Sequence, residues 1–230
     1  MIVLNKAVIE KSVCHSLAAV PGSGPAVFSL TNLSQLQLPH LSDIKTEAVR
    51  KSIHFLIALS PGMAALSLPF AVLSLMAGIL CYTAMELARL SGIKVPLVSA
   101  ITCMASRPRD MNRFVLGPVT LALGALIALL FFPPPAASIG IYALAFGDGF
   151  AGLAGKMFGR IRPYFLFGKS VEGSAACFIA VFVSAWLVSG SLTVSMAAAF
   201  AATAIEALPI GDYDNTALPL VVCIVVQLIG

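Results

Sequence analysis

The sequence predicts an all-α, polytopic integral membrane bundle of about seven transmembrane helices, and three observations carry that prediction. Only 10% of the 230 residues are charged, while 59% are hydrophobic and the mean hydropathy is +0.99; an ordinary soluble domain carries about 25% charged residues. The apolar residues fall in long runs, and a helical run of roughly 18–20 residues rises about 27–30 Å, enough to cross the hydrocarbon layer. The basic residues gather in every second connection between those runs. One membrane domain is therefore expected over 47–230, preceded by a cytoplasmic or interfacial arm over 1–46.

In the arm, Lys6, Glu10 and Lys11 interrupt any apolar leader core, and Pro21-Gly22-Ser23-Gly24-Pro25 breaks any helix. A cleaved signal peptide is not expected there. Spans are expected at 51–68, 69–88, 114–131, 136–152, 171–189, 192–208 and 216–230. The connections Ser60-Pro61-Gly62, Pro133-Pro134-Pro135 and Ser189-Gly190-Ser191 carry no charge. The alternate ones hold Arg89, Lys94, Arg107, Arg109 and Arg113, then Lys156, Arg160, Arg162 and Lys169, and the arm adds Lys45, Arg50 and Lys51. By the positive-inside rule this basic face is cytoplasmic, with the amino terminus in and the carboxyl terminus out; in a bacterium the membrane would be the inner, plasma membrane.

The five cysteines stand singly and the three histidines are dispersed, so neither a disulfide framework nor a zinc site is expected. A formal charge of +4 is too small to suggest a nucleic-acid partner. The halves lack the matched broken helices of many secondary transporters.

The polar residues that remain cluster. Gly147-Asp148-Gly149-Phe150-Ala151-Gly152-Leu153-Ala154-Gly155-Lys156-Met157-Phe158-Gly159-Arg160, if helical, puts Gly147, Ala151, Gly155 and Gly159 on one stripe of small residues. The adjacent stripe is Asp148, Gly152, Lys156 and Arg160. Small-residue stripes serve helix packing in membranes, which accounts for the glycines and leaves Asp148 over. An aspartate in an apolar span is costly and is read as functional, here as a magnesium- or phosphate-side group.

Gly168-Lys169-Ser170-Val171-Glu172-Gly173-Ser174 leads a loop into a helix, where unpaired N–H groups favour an anion and Lys169 adds a point charge. It is not a P-loop, because Pro163 stands where that motif needs its first glycine. Glu206 closes one span, and Asp212, Asp214 and Asn215 precede the next, offering hard oxygen ligands. At the start of the membrane domain, Glu47, Arg50, Lys51 and His54 share one helical face. Glu86 and Arg89 form an i, i+3 pair, and Arg107, Arg109, Asp110 and Arg113 enrich the loop that follows. Acids and bases on one face of a bundle, beside glycine-rich helix ends, suit a polyphosphate nucleotide and its metal meeting a lipid headgroup.

The order Glu-x-x-Arg-Lys-x-x-His from Glu47, Gly-Asp-Gly-x-Ala-x-x-x-Gly-x-x-x-Gly from Gly147, Gly-Lys-Ser-x-Glu-Gly-Ser from Gly168, then Glu206-Ala-Leu and Asp214-Asn215, resembles the dolichol kinase, phytol kinase and fungal-type diacylglycerol kinase family. The resemblance implies a membrane enzyme that uses CTP and Mg²⁺ to phosphorylate a lipid alcohol. It also implies roles. Asp148, Lys169 and Glu206 would be catalytic, and Asp148 and Asp214 would hold the metal. Gly147, Gly152, Gly155, Lys156, Gly159, Arg160, Lys169, Ser170, Glu172 and Asn215 would contact the nucleotide. Glu47, Arg50, Lys51, His54, Glu86 and Arg109 would form the rim toward the lipid. Relatives often have a glutamate slightly beyond the arginine at the Arg109-Asp110 position, so this chain departs from the pattern there. Some relatives carry the label phosphatidate cytidylyltransferase-like, and transfer of a cytidylyl group to phosphatidate is the second reading. A transporter with Asp148 as coupling site is the third; it leaves the one-sided charge unexplained.

Overall fold

The computed structural model describes residues 38–92 and 114–230. The expectations for residues 1–37, and for Lys94, Arg107, Arg109, Asp110 and Arg113, lie outside the described residues. Among the described residues every regular element is helical. In chain order they are α1 (Leu38–Ile57), α2 (Leu59–Leu66), α3 (Leu68–Leu90), α4 (Gly117–Phe131), α5 (Pro134–Met157), α6 (Val171–Ser189), α7 (Leu192–Ala207) and α8 (Asp214–Ile229). Of these, α3, α5 and α6 are long and apolar enough to cross a membrane, while α4, α7 and α8 are shorter apolar helices.

The span expected at 51–68 divides into two helices, with the break at Ala58. Pro61 has no N–H to give the carbonyl of Ile57, and the Ser60 hydroxyl donates to that carbonyl instead, at 2.8 Å. The helix beginning at Leu38 thus ends at Ile57. A second interruption follows at Ser67, whose hydroxyl accepts from the N–H of Phe70 while Pro69 sits in the first turn of α3.

On α3, α5 and α6 every exposed residue is apolar. Leu66, Phe131, Leu187 and Leu228 are each more than 70% exposed, and of α3 only Ala71 and Glu86 are buried. So much contiguous exposed hydrocarbon belongs in lipid rather than water, and this is the surface of an integral membrane protein. Polar loops and helix ends remain for the site.

α5 is the axis of the bundle. Ala136, Ala137, Ile139, Gly140, Ile141 and Leu144 on it are buried, with α2, α4, α6 and α8 packed around them. At its centre the backbone widens into a π-helical stretch, Ala143–Asp148, before resuming as an α-helix. Such insertions occur frequently at functional sites, and this one ends on the aspartate.

Close helix approach needs glycine on α5. A Cβ on Gly140 would stand 2.4 Å from Cys223 Sγ and 2.7 Å from the backbone oxygen of Pro219, both on α8. Gly140→Val is therefore expected to cost about 1–3 kcal/mol by overpacking and to lower the melting temperature in detergent. Gly78→Val, on the lipid side of α3 with nothing within 4 Å, is expected to leave it unchanged; equal melting of the two variants would refute this packing.

Candidate active site

Two charged faces meet where α1 crosses α5. Lys51 is 1% exposed, and its ammonium donates to Asp148 Oδ2, with Glu47 Oε1 at 3.9 Å on its other side. His54 Nδ1 stands 3.0 Å from the same Asp148 oxygen. Two turns further along α5, Lys156 Nζ lies 2.7 Å from Glu47 Oε2, while Arg50 also donates to Glu47. Burial by itself would raise the Glu47 carboxyl, but Arg50, Lys51 and Lys156 outweigh it and hold the group at about 2. Glu47 is thus a fixed anion between three cations.

The two stripes expected on α5 face different partners. Asp148, Gly152 and Lys156 look toward α1. A Cβ on Gly152 would stand 2.5 Å from Lys51 Cε and 2.8 Å from Glu47 Oε1, so the glycine makes room for the ion pairs. The small stripe packs on α6: Gly147 against Val181 and Cys177, and Gly155 against Ser170 and Gly173. Helix α5 ends at Met157, so Gly159 and Arg160 lie past it, and Arg160 is exposed.

After α5 the chain folds back along the membrane face. Arg162 donates to the carbonyls of Gly168 (2.6 Å) and Gly155 (3.0 Å), tying this loop to the end of α5. Phe167 and Gly168 both take left-handed backbone (φ +47° and +88°), reversing the chain into Lys169. Lys169 Nζ then donates to Glu206 Oε1 of α7 at 2.6 Å. Burial pulls the Lys169 ammonium down, but Glu206 more than compensates and raises it above its ordinary value, so it stays charged. The second oxygen of Glu206 is buried without a hydrogen-bond partner. A buried acceptor left in that state is costly unless something else satisfies it.

The start of α6 differs from its expected role. The N–H of Val171 donates to the carbonyl of Ile161 (3.0 Å) and that of Gly173 to the Ser170 hydroxyl (3.1 Å). Glu172 accepts from the N–H groups of Arg160 and Ile161. The helix end has spent these donors on its own loop and cap, whereas Lys169 just before it lines the cavity.

These elements enclose one cavity of about 500 Å³. Glu47, Arg50, Lys51, His54, Asp148, Gly152, Gly155, Lys156, Lys169, Ser170, Glu206, Asp214 and Asn215 all line it, drawn from α1, α5, α7, α8 and the loop before α6. Gly147, Gly159, Arg160, Glu172 and Glu86 lie outside the lining. Glu86 is fully buried, where a carboxylate needs complete hydrogen bonding. It accepts two bonds from Arg89 at 2.8 Å and one from the N–H of Val115 at 3.0 Å, clamping the entry of α4 to α3. Asn215 lines the floor, but its Nδ2 donates to Gly117 O and Thr120 Oγ1, which binds α8 to α4. Sequence reasoning missed Arg162 and the apolar lining from Ile53, Tyr82, Met85, Val115, Pro118 and Leu121. In sequence the former is one more basic residue of the connection before α6, and the latter are ordinary apolar residues of the expected spans.

In sequence the chain is similar to two plant proteins. The chain is 31% identical over 148 residues to a Triticum aestivum protein named "Probable phytol kinase, chloroplastic", covering 56% of this chain and 49% of that one. It is 26% identical over 147 residues to an Oryza sativa subsp. japonica protein named "Probable phytol kinase 1, chloroplastic", covering 56% and 47%. The chain spans about half the length of these curated relatives. No family model and no solved structure matches it.

The Lys51–Asp148 pair yields a quantitative expectation. Lys51→Met and Asp148→Asn each strand a buried charge and are expected to cost about 3–5 kcal/mol. The double variant should cost less than their sum by about 0.5–3 kcal/mol. Thermal unfolding in detergent measures all four species, and strict additivity would contradict the pairing.

Proposed function

We propose that this chain transfers the γ-phosphoryl group of CTP, with Mg²⁺, to the hydroxyl of a membrane lipid alcohol such as a polyprenol, phytol or diacylglycerol. The observation that carries this reading is a cavity at the end of a membrane bundle, charged on one flank and apolar on the other. The likeness to two proteins named phytol kinase favours the same chemistry. We place this face on the cytoplasmic side, with the amino terminus in, because the basic connections gather there.

Among the described residues no group of three or more acids, histidines or cysteines forms a metal site. Magnesium is commonly held by one or two carboxylates together with substrate phosphates, and Asp148 and Asp214, both lining the cavity, fit that kind of site. When bound, the ion would neutralise phosphate charge. Lys169 exchanges its bond with Glu206 for one with the triphosphate. Lys156 and Arg50 add positive charge at the rim.

Once Lys169 has moved to phosphate, Glu206 faces the cavity with both oxygens. The lipid hydroxyl attacks the γ-phosphorus in line, its proton passing to Glu206 while the new O–P bond forms and the bond to the β-phosphate oxygen breaks. CDP leaves. Asp148, tied to Lys51 and beside His54, holds position while Glu206 takes the proton.

The test uses purified protein in lipid nanodiscs with CTP or ATP labelled at the γ-phosphate and a panel of lipid alcohols. Label is expected in the lipid, from CTP in preference to ATP. Label released as pyrophosphate in the presence of phosphatidate would mean cytidylyl transfer instead, and transfer to neither would sink the reading. Glu206→Gln is expected to lower kcat on the order of 10²-fold or more.

A further inference from the structure

We infer that the apolar flank of the cavity receives only the hydroxyl-bearing end of the lipid chain, and that the rest of the chain runs out past α3 into the bilayer. Ile53 of α1, Tyr82 and Met85 of α3, and Val115, Pro118 and Leu121 at the entry of α4 form this flank. The proposal rests on the kinase reading for the identity of the occupant, a long-chain alcohol.

Three observations commit the flank to that occupant. One is its position. These six residues share a cavity with Asp148, Lys169 and Glu206, so a molecule with one polar end and one hydrocarbon end satisfies both sides at once. Another is size: about 500 Å³ lies within the roughly 300–1,000 Å³ of a site for one small ligand. The triphosphate must share that volume, so a long chain cannot be housed whole. The last is what lies outside. Tyr82 and Met85 belong to α3, whose other faces are almost entirely exposed, with Leu80 at 67% and Leu87 at 53%. The cavity is therefore one helix away from lipid on this side.

The flank is also fixed in width. The Tyr82 hydroxyl donates to the carbonyl of Val115 at 2.9 Å, and the N–H of Val115 donates to Glu86 at 3.0 Å. Both main-chain polar groups of Val115 are thus held by α3, so the α3–α4 wall does not simply widen for a bulkier chain. Shape close to the hydroxyl is then discriminated, and chain length is not.

A long-chain alcohol carrying a photoactivatable diazirine close to its hydroxyl tests placement without requiring turnover. Labelling is expected on Met85 and on the Val115–Leu121 segment. An excess of unlabelled long-chain alcohol should abolish it, CTP alone should not, and labelling of lipid-facing Leu187 should resist both. Protection of the flank by CTP alone would mean that the nucleotide base occupies it, and uncompeted labelling would mean ordinary lipid contact; either overturns the inference. In turnover, Met85→Trp should raise KM for the alcohol about tenfold with KM for CTP unchanged. Alcohols that share their first carbons but differ in length should give similar kcat/KM, and a steep length dependence would also overturn it. Competed labelling with no phosphorylation of any alcohol would leave the flank assigned and refute the kinase reading instead.

Discussion

An ammonium group with almost no exposure to water is tolerable only where an anion neutralises it and the surroundings leave room for both. Lys51 meets that requirement through Asp148, and much else in the bundle answers to it. The partner must sit inside a transmembrane helix, so α5 carries an aspartate at the end of its π-helical stretch. The helices must cross closely, so Gly152 stands where any side chain would strike Lys51. Glu47 balances the remaining cations, with Arg50 and Lys156 on it and Lys51 within 4 Å. The desolvation of these charges is unfavourable, and their mutual attraction offsets it only in this arrangement.

The same helix serves two neighbours at once. Its charged stripe meets α1 while its small stripe meets α6, and packing on α6 brings Lys169 to the cavity from the other side. α7, packed on α6, then supplies Glu206 as counter-ion. Two ion pairs of different character result. Lys51–Asp148 is buried, with Asp148 Oδ2 committed to Lys51, and is suited to holding geometry, whereas Lys169 is partly exposed and its partner keeps one oxygen without a hydrogen bond. The second pair is the one that can change partners, as the proposed phosphoryl transfer requires.

How much of this was legible in the sequence depended on whether a residue's partner lay within a helical period. Asp148 stood out because a charge inside an apolar run has few structural excuses, and the two stripes follow from spacing of four. Glu47, Lys51 and His54 share a helical face by the same spacing, and that face meets α5. What escaped notice depends on distant partners. Glu86 looked like half of an exposed helical pair with Arg89, because nothing local reveals that it also binds the N–H of Val115. The N–H groups at the start of α6 looked available because the carbonyl that takes one of them belongs to Ile161, across a loop. Continuous hydrophobicity draws one span over 51–68, yet the Ser60-Pro61-Gly62 connection inside it marks the break, and Pro61 holds its cause. Tyr82, Met85 and Leu121 carry no mark that separates a cavity wall from a lipid-facing surface.

The docking of α1 on α5 through Lys51 and Asp148 is the claim on which the site stands, and hydrogen exchange measures it directly. In detergent, amides of α1 from 47 to 57 should be protected in the unaltered protein and should exchange much faster in Asp148→Asn, while the α6–α7 hairpin keeps its protection. Unchanged protection of α1 in that variant would contradict the account, because it would mean that the helix is held there by something other than the buried charge pair.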